Sequence, residues 1–244
     1  MSHAQHALNS RKSQPPGRRS DAGQIRLTDR DVTGLVTLAE MYAAPGDLLA
    51  RHLDVTPGRL RDITTRWRHA GLLGTGRLIA GPQWYWLTRA GMRQVGHGWA
   101  PGPPPLTRLA HIRAALAARM WLESDESWTH GQAWWRCERR IRGDLHGSQN
   151  VHVPDAEILW PTVPGSPSAG QTWAIEVELT PKAAGRTTRI IAALLDGPYQ
   201  SVVYLCAPPA LPVVTAAAGR FPADQAARII IRSLPRLALT RKPS

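Results

Sequence analysis

Four side chains in the last third of the sequence have the types and spacing that handle phosphate chemistry: Asp155, Glu176, Glu178 and Lys182. The run His152-Val153-Pro154-Asp155-Ala156-Glu157-Ile158-Leu159-Trp160 reads as one strand. Residues 172–179 alternate as a second, with Trp173, Ile175, Val177 and Leu179 on one face and Ala174, Glu176 and Glu178 on the other. Asp155 and Glu176 can therefore meet across a sheet, and Glu178 shares the face of Glu176. Hard carboxylate oxygens suit Mg²⁺ (or Mn²⁺), which keeps several of its waters and bridges to phosphate. Such an ion activates a water for attack and stabilises charge on a scissile phosphate. A nearby ammonium would orient water or stabilise the transition state, and Lys182 lies just past the strand end. The chain has only three lysines, Lys12, Lys182 and Lys242, and the other two lie near its ends. In a chain that otherwise writes arginine, Lys182 is informative.

Each carboxylate also has a plainer reading. Asp155 can cap a strand end, and Glu176 and Glu178 can form a solvated face paired with Arg186 or Arg189. His152 is either a phosphate or water contact or a structural residue.

The elements that must position these groups follow from periodicity. Residues 134–142, with Glu138 among Arg136, Arg139, Arg140 and Arg142, read as a helix. A Pro-, Gly- and Ser-rich loop covers 161–171, a helix 185–195, and apolar strands 201–206 and 228–232. That order implies an α/β (α+β) domain: a mixed sheet with helices on its faces.

The first part of the chain has another character. Thr28 is placed to cap a helix over 29–42 that sets Val32, Leu35, Val36 and Ala39 on one face, and a short helix follows at 47–53. Thr56-Pro57 supplies a cap and a first-turn proline for a helix over 58–70, with Leu60, Ile63 and Trp67 inward and Arg59, Arg61, Arg66 and Arg68 mostly outward. Residues 72–87 form a hairpin that turns at Gly81-Pro82, with Arg77 in this wing ahead of the turn, and Thr88 caps a closing helix to 95. Helices followed by a hairpin and a closing helix make a winged helix-turn-helix, whose arginine-bearing third helix can enter the major groove of double-stranded DNA.

The segments "WRHAGLL" and "WYWLTRAG" are similar to the wing region of bacterial winged-helix regulators. "HVPDAEIL" followed by "WAIEVELTPK" resembles the PD-(D/E)xK nuclease superfamily, restriction-endonuclease-like in fold. The resemblance implies metal-site roles for Asp155, Glu176 and an acid on the preceding helix, here Glu138. Where that pattern has Lys two residues after the acid, this chain has Glu178, and Lys182 lies four residues further on. The whole layout, with "CERRIR", "HVPDAEI" and "EVELTPK" after a winged helix, resembles the replication-relaxation family of actinobacterial plasmids and integrative elements.

Composition bounds the rest. Thirty Lys plus Arg against 18 Asp plus Glu give a formal charge of +12, which favours a polyanionic partner. Cys137 and Cys206 are the only cysteines, too few for a disulfide framework or a thiolate zinc cage. No apolar run reaches the ~20 residues of a membrane span, and the N-terminus has no signal-peptide core, so a cytoplasmic protein is expected. The expected organisation is a basic arm (1–24), a winged-helix domain (25–96), a Pro-rich linker (97–105), a connecting helix (106–127), a nuclease-like domain (128–233) and a basic tail (234–244). The expected function is Mg-dependent phosphodiester hydrolysis on DNA. The alternative is a non-catalytic regulator of plasmid replication, transfer or transcription with a degenerate nuclease fold. Replication or transfer proteins and a second copy of the chain are possible further partners; a membrane is not.

Overall fold

The computed structural model describes residues 26–124, 133–145, 152–162, 166 and 168–236. The basic arm and the tail beyond 236 lie outside the described residues. The chain forms two sheets, one small and antiparallel and one five-stranded and mixed, with helices packed on both.

The first unit opens with α1 (Asp29–Glu40), whose N-terminus is closed by a capping box between Thr28 and Asp31. A two-residue strand β1 (Ala44–Pro45) leads into α2 (Gly46–His52). Helix α3 (Pro57–His69) starts where Thr56 accepts from the Arg59 N–H and Pro57 occupies the first turn. Strands β2 (Leu73–Gly76) and β3 (Trp84–Leu87) pair antiparallel, β1 adds to the far edge of β3, and α4 (Arg89–Gln94) closes the unit behind its Thr88 cap. The hairpin's first strand is 73–76, so Leu78 and Ile79 belong to the connection, not to the ladder.

Helix α5 (Leu109–Glu123) follows a single 3₁₀ turn. Strand β4 (Trp134–Cys137) then occupies what periodicity presented as the start of a helix; only α6 (Glu138–Asp144) is helical. The reason is pairing: Trp135 and Cys137 point into the core while β4 runs antiparallel to β5 (Ala156–Leu159). Strand β5 pairs antiparallel with β6 (Thr172–Glu178). Helix α7 (Ala184–Leu195) then crosses over to β7 (Ser201–Cys206), parallel to β6. Helices α8 (Leu211–Ala218) and α9 (Ala223–Ala226) lead to β8 (Ile229–Ser233), parallel to β7. The sheet order is β4-β5-β6-β7-β8.

Both faces of this sheet are covered. On one, Ile158, Ile175, Val177, Val203 and Leu205 share a single core with Leu116 of α5 and with Leu35, Leu49 and Trp67 of the first unit. On the other, Ala174, Val202, Tyr204 and Cys206 pack against Ile191 and Leu194 of α7 and Val214 of α8. The Pro-rich segment between the units is tied down: the Gly102 N–H donates to the Leu87 carbonyl, and Arg139 donates to the Ala100 carbonyl. Among the described residues no helix is long and apolar enough to cross a membrane.

Candidate functional site

Helix α3 buries Leu60, Ile63, Thr64 and Trp67 and leaves Arg59, Arg61 and Arg68 exposed, without an ion pair among the described residues. Arg77, in the hairpin connection, is likewise exposed. Arg66 is spent differently. Its guanidinium pairs with Asp31, a carboxylate only 1% exposed, which also accepts 2.8 Å bonds from the Trp67 indole N–H and the Thr28 N–H. Burial would raise the Asp31 carboxyl, but those hydrogen bonds and the Arg66 charge hold it below its ordinary range. Arg66 therefore staples α3 to α1, and the side chains free to meet a ligand on this helix are Arg59, Arg61 and Arg68.

The acids of the large sheet are assembled by register. Ala156 faces Ile175 across the β5–β6 ladder, so Asp155 at the entrance of β5 lies opposite Glu176. Asp155 Oδ2 accepts from the Val177 N–H at 2.8 Å, and its Oδ1 lies 2.9 Å from His111 Nε2 on α5. Glu176 is 4% exposed and bonded through Oε1 to His152 Nε2 at 2.8 Å. Burial pushes its carboxyl up to about 7; the neighbouring Asp155 charge adds to that, while His152 and Lys182 oppose it. Glu178, two residues along the same face, pairs with Lys182 Nζ at 2.5 Å. The lysine four residues beyond the strand end thus returns its ammonium to the position where the sequence has Glu178.

Two further buried groups complete this face. Glu157 binds Arg136 at 2.6 Å and accepts from the Tyr199 hydroxyl at 2.8 Å. Tyr204, the neighbour of Glu176 on β7, has a buried hydroxyl with no hydrogen-bond partner among the described residues. The charges of Glu176, Glu178 and Asp155 all bear on that hydroxyl.

Glu138 is occupied elsewhere. Its carboxylate accepts from the Tyr42 hydroxyl at 3.2 Å, from Arg108 at 2.7 Å and from Arg142 at 2.9 Å. Burial would raise it, yet Arg108 and Arg142 together bring it below the usual range. Tyr42, at a left-handed φ of 67°, is itself held between the guanidinium groups of Arg108 and Arg139. Glu138 and Asp155 line one small crevice with His111, but no group of three or more His, Cys, Asp or Glu gathers to hold a metal ion among the described residues. The two carboxylates that register sets opposite each other are Asp155 and Glu176, and Mg²⁺ commonly takes one or two carboxylates and keeps its waters. The unpartnered Tyr204 hydroxyl beside them is of the kind a hydrated cation can engage.

Sequence periodicity had no means of finding His111, Tyr42 or Tyr204 as parts of this arrangement. His111 stands beside an apolar helical stripe, and only the packing of α5 on the sheet brings it to Asp155. Glu157 alternates with apolar neighbours in a strand, a weak signal of a buried carboxylate.

Compared with models of known protein families, the chain matches none, and it matches no curated protein.

Proposed function

We propose that this chain is a duplex-DNA-binding protein of the winged-helix kind whose mixed-sheet unit is a nuclease-like domain acting on phosphodiesters with Mg²⁺. The observation that carries the reading is the outer face of α3, where Arg59, Arg61 and Arg68 are exposed and unpaired while the opposite face is core. Arginines on such a helix reach phosphates and guanine edges in the major groove. Arg77, just past the end of β2, adds a contact beside it, and Arg66 contributes by fixing the helix.

The hydrolytic part of the proposal draws on three features. An antiparallel run β4-β5-β6, a helical crossover and a parallel β7 form a mixed sheet with helices on its faces, the scaffold this reading needs. Asp155 and Glu176 are register neighbours, and Lys182 brings its ammonium to Glu178. Mg²⁺ on Asp155 and Glu176 would supply an activated water and charge neutralisation at the scissile phosphate. His152 orients the Glu176 carboxylate, and the Val177 N–H and His111 orient that of Asp155. Lys182 places a compact positive charge beside them, suited to a phosphate oxygen once it leaves Glu178. The resemblance to the replication-relaxation family supports a role on a plasmid or mobile element.

A second reading, a non-catalytic DNA-binding regulator, is favoured by the pairing of each acid. Glu138 is saturated by Arg108 and Arg142, and Asp155, Glu176 and Glu178 each have a His or Lys partner. Incubation of supercoiled plasmid with Mg²⁺ or Mn²⁺ separates the two. Hydrolysis predicts nicking by the wild type and none by Glu176→Ala; intact plasmid across the metal titration, with duplex binding retained, decides for the regulator.

A further inference from the structure

Arg186 and Arg189 stand three residues apart on α7, which puts them on neighbouring positions of one helix face. The sequence offered them as partners for Glu176 and Glu178, but those carboxylates are bonded to His152 and Lys182 instead. Both guanidinium groups are exposed and make no ion pair among the described residues. They border an open cavity of about 470 Å³ whose described lining is His152, Arg186, Arg189 and Ile190, with no carboxylate. That size is within the range of small-ligand sites and exceeds what a lone inorganic ion needs. The contrast with the crevice at α3 is instructive: there Arg59 and Arg66 share the lining with Asp29 and Asp31.

His152 links this cavity to the acids of the sheet. The same imidazole that lines it bonds to the buried Glu176, so one side chain separates the cavity from that carboxylate. We propose that Arg186 and Arg189 form a second phosphate-binding site, which grips the DNA backbone where it passes His152 toward Asp155 and Glu176. Neither guanidinium has a carboxylate partner among the described residues, and Arg189 makes only a long 3.4 Å bond from Nε to the Gly185 carbonyl, so both forks are suited to bidentate contact with phosphate oxygens. Ile190 gives the cavity an apolar wall against which a sugar or base can rest. The inference rests on the DNA-binding reading above but not on hydrolysis: it holds equally for a scaffold that only positions a strand.

The test compares the full chain with Arg186→Ala/Arg189→Ala and, separately, with Arg59→Ala/Arg61→Ala/Arg68→Ala. Affinity for a labelled duplex of about two helical turns is measured by anisotropy over a range of salt concentrations. Each lost phosphate contact flattens the plot of log K against log salt by about 0.9, so the α7 variant should flatten it by about 2. Arg186→Lys/Arg189→Lys, which keeps the charge, should retain most of the slope, and thermal unfolding of all variants should match wild type because these side chains are exposed. An unchanged slope and affinity in the α7 variant, alongside clear loss in the α3 variant, overturns this site and leaves the DNA reading standing. Loss in neither variant removes both. Binding of a free nucleotide at the cavity with an unaltered duplex isotherm also overturns it.

Discussion

Lys182 Nζ lies 2.5 Å from Glu178 Oε2, so a lysine outside strand β6 delivers its charge to the face of that strand which carries Glu176. The chain has to turn through Pro181 to do so. The spacing that looked irregular in the sequence becomes, in three dimensions, an ion pair with Glu178. If that charge serves the chemistry, Lys182→Met should lower the Mg²⁺-dependent nicking rate of supercoiled plasmid by about 10²-fold or more, the range found when a positioned catalytic group is removed. Duplex affinity should fall by no more than the loss of one phosphate contact, far less than the nicking rate. A variant that nicks at the wild-type rate would assign Lys182 to structure alone.

Glu176 offers a pH test. Its carboxyl is raised in the folded chain from an ordinary 4.5 to about 7, so between those values the native state holds a proton the unfolded chain has released. The stability this contributes is complete below about pH 4.5 and is lost as pH rises through about 7. Unfolding temperature should therefore fall from pH 5 to pH 8 more steeply in wild type than in Glu176→Gln, which carries no charge to titrate. Added Mg²⁺ should raise the wild-type unfolding temperature at pH 8 and leave that of Glu176→Gln nearly unmoved.

Asp31 predicts the opposite slope. Its carboxyl sits below its ordinary value of 3.8, so its contribution is present above that pH and disappears as pH falls through the lower, folded value. Asp31→Ala strands the Arg66 guanidinium and the buried Trp67 indole N–H without their acceptor. The exposed guanidinium is rehydrated, so the cost is mainly that of the unsatisfied buried indole N–H, about 1–3 kcal/mol, read as a drop in the denaturation midpoint. Arg66→Ala should cost less, because Arg66 is half exposed and Asp31 keeps Thr28 and Trp67.

Gly34 is the clearest packing test. A Cβ built there would come 2.6 Å from the ring of Trp67, a fully buried side chain that cannot swing aside. Gly34→Ala should destabilise by about 1–3 kcal/mol despite the better helix propensity of alanine, because overpacking outweighs it. A stabilised variant in a chemical denaturation series would contradict the α1–α3 packing.

Helix α3 was readable in advance because its determinants are local: a Thr-Pro start and apolar residues one turn apart. Strand β4 was not. Trp134-Trp135-Arg136-Cys137 is too short for its alternation to stand out, and it becomes a strand only by pairing with β5 some twenty residues later. The acids followed the same division. Glu176 and Glu178 could be placed on a strand, and Asp155 was expected on one but sits in the bend before Ala156; their partners His111 and His152 and the engagement of Glu138 by Arg108 depend on contacts between distant segments. Arg66 looked like its neighbours on the helix until its tie to Asp31 set it apart. The prolines of 103–105 suggest a free spacer, and nothing in them announces the anchors at Ala100 and Gly102.

The hydrophobic core that runs without a break from Trp67 and Leu35 through Leu116 to Ile175 and Leu205 has a geometric corollary. Glu40, buried on α1 and bonded to Arg119 at 2.7 Å and Arg140 at 3.4 Å, reinforces the same join. Parts welded in this way cannot swivel, so the molecule behaves as a fixed caliper. If the chain acts on DNA as proposed, a double helix seated on one jaw would present the same few base pairs to the other every time, and a break would fall at a constant offset.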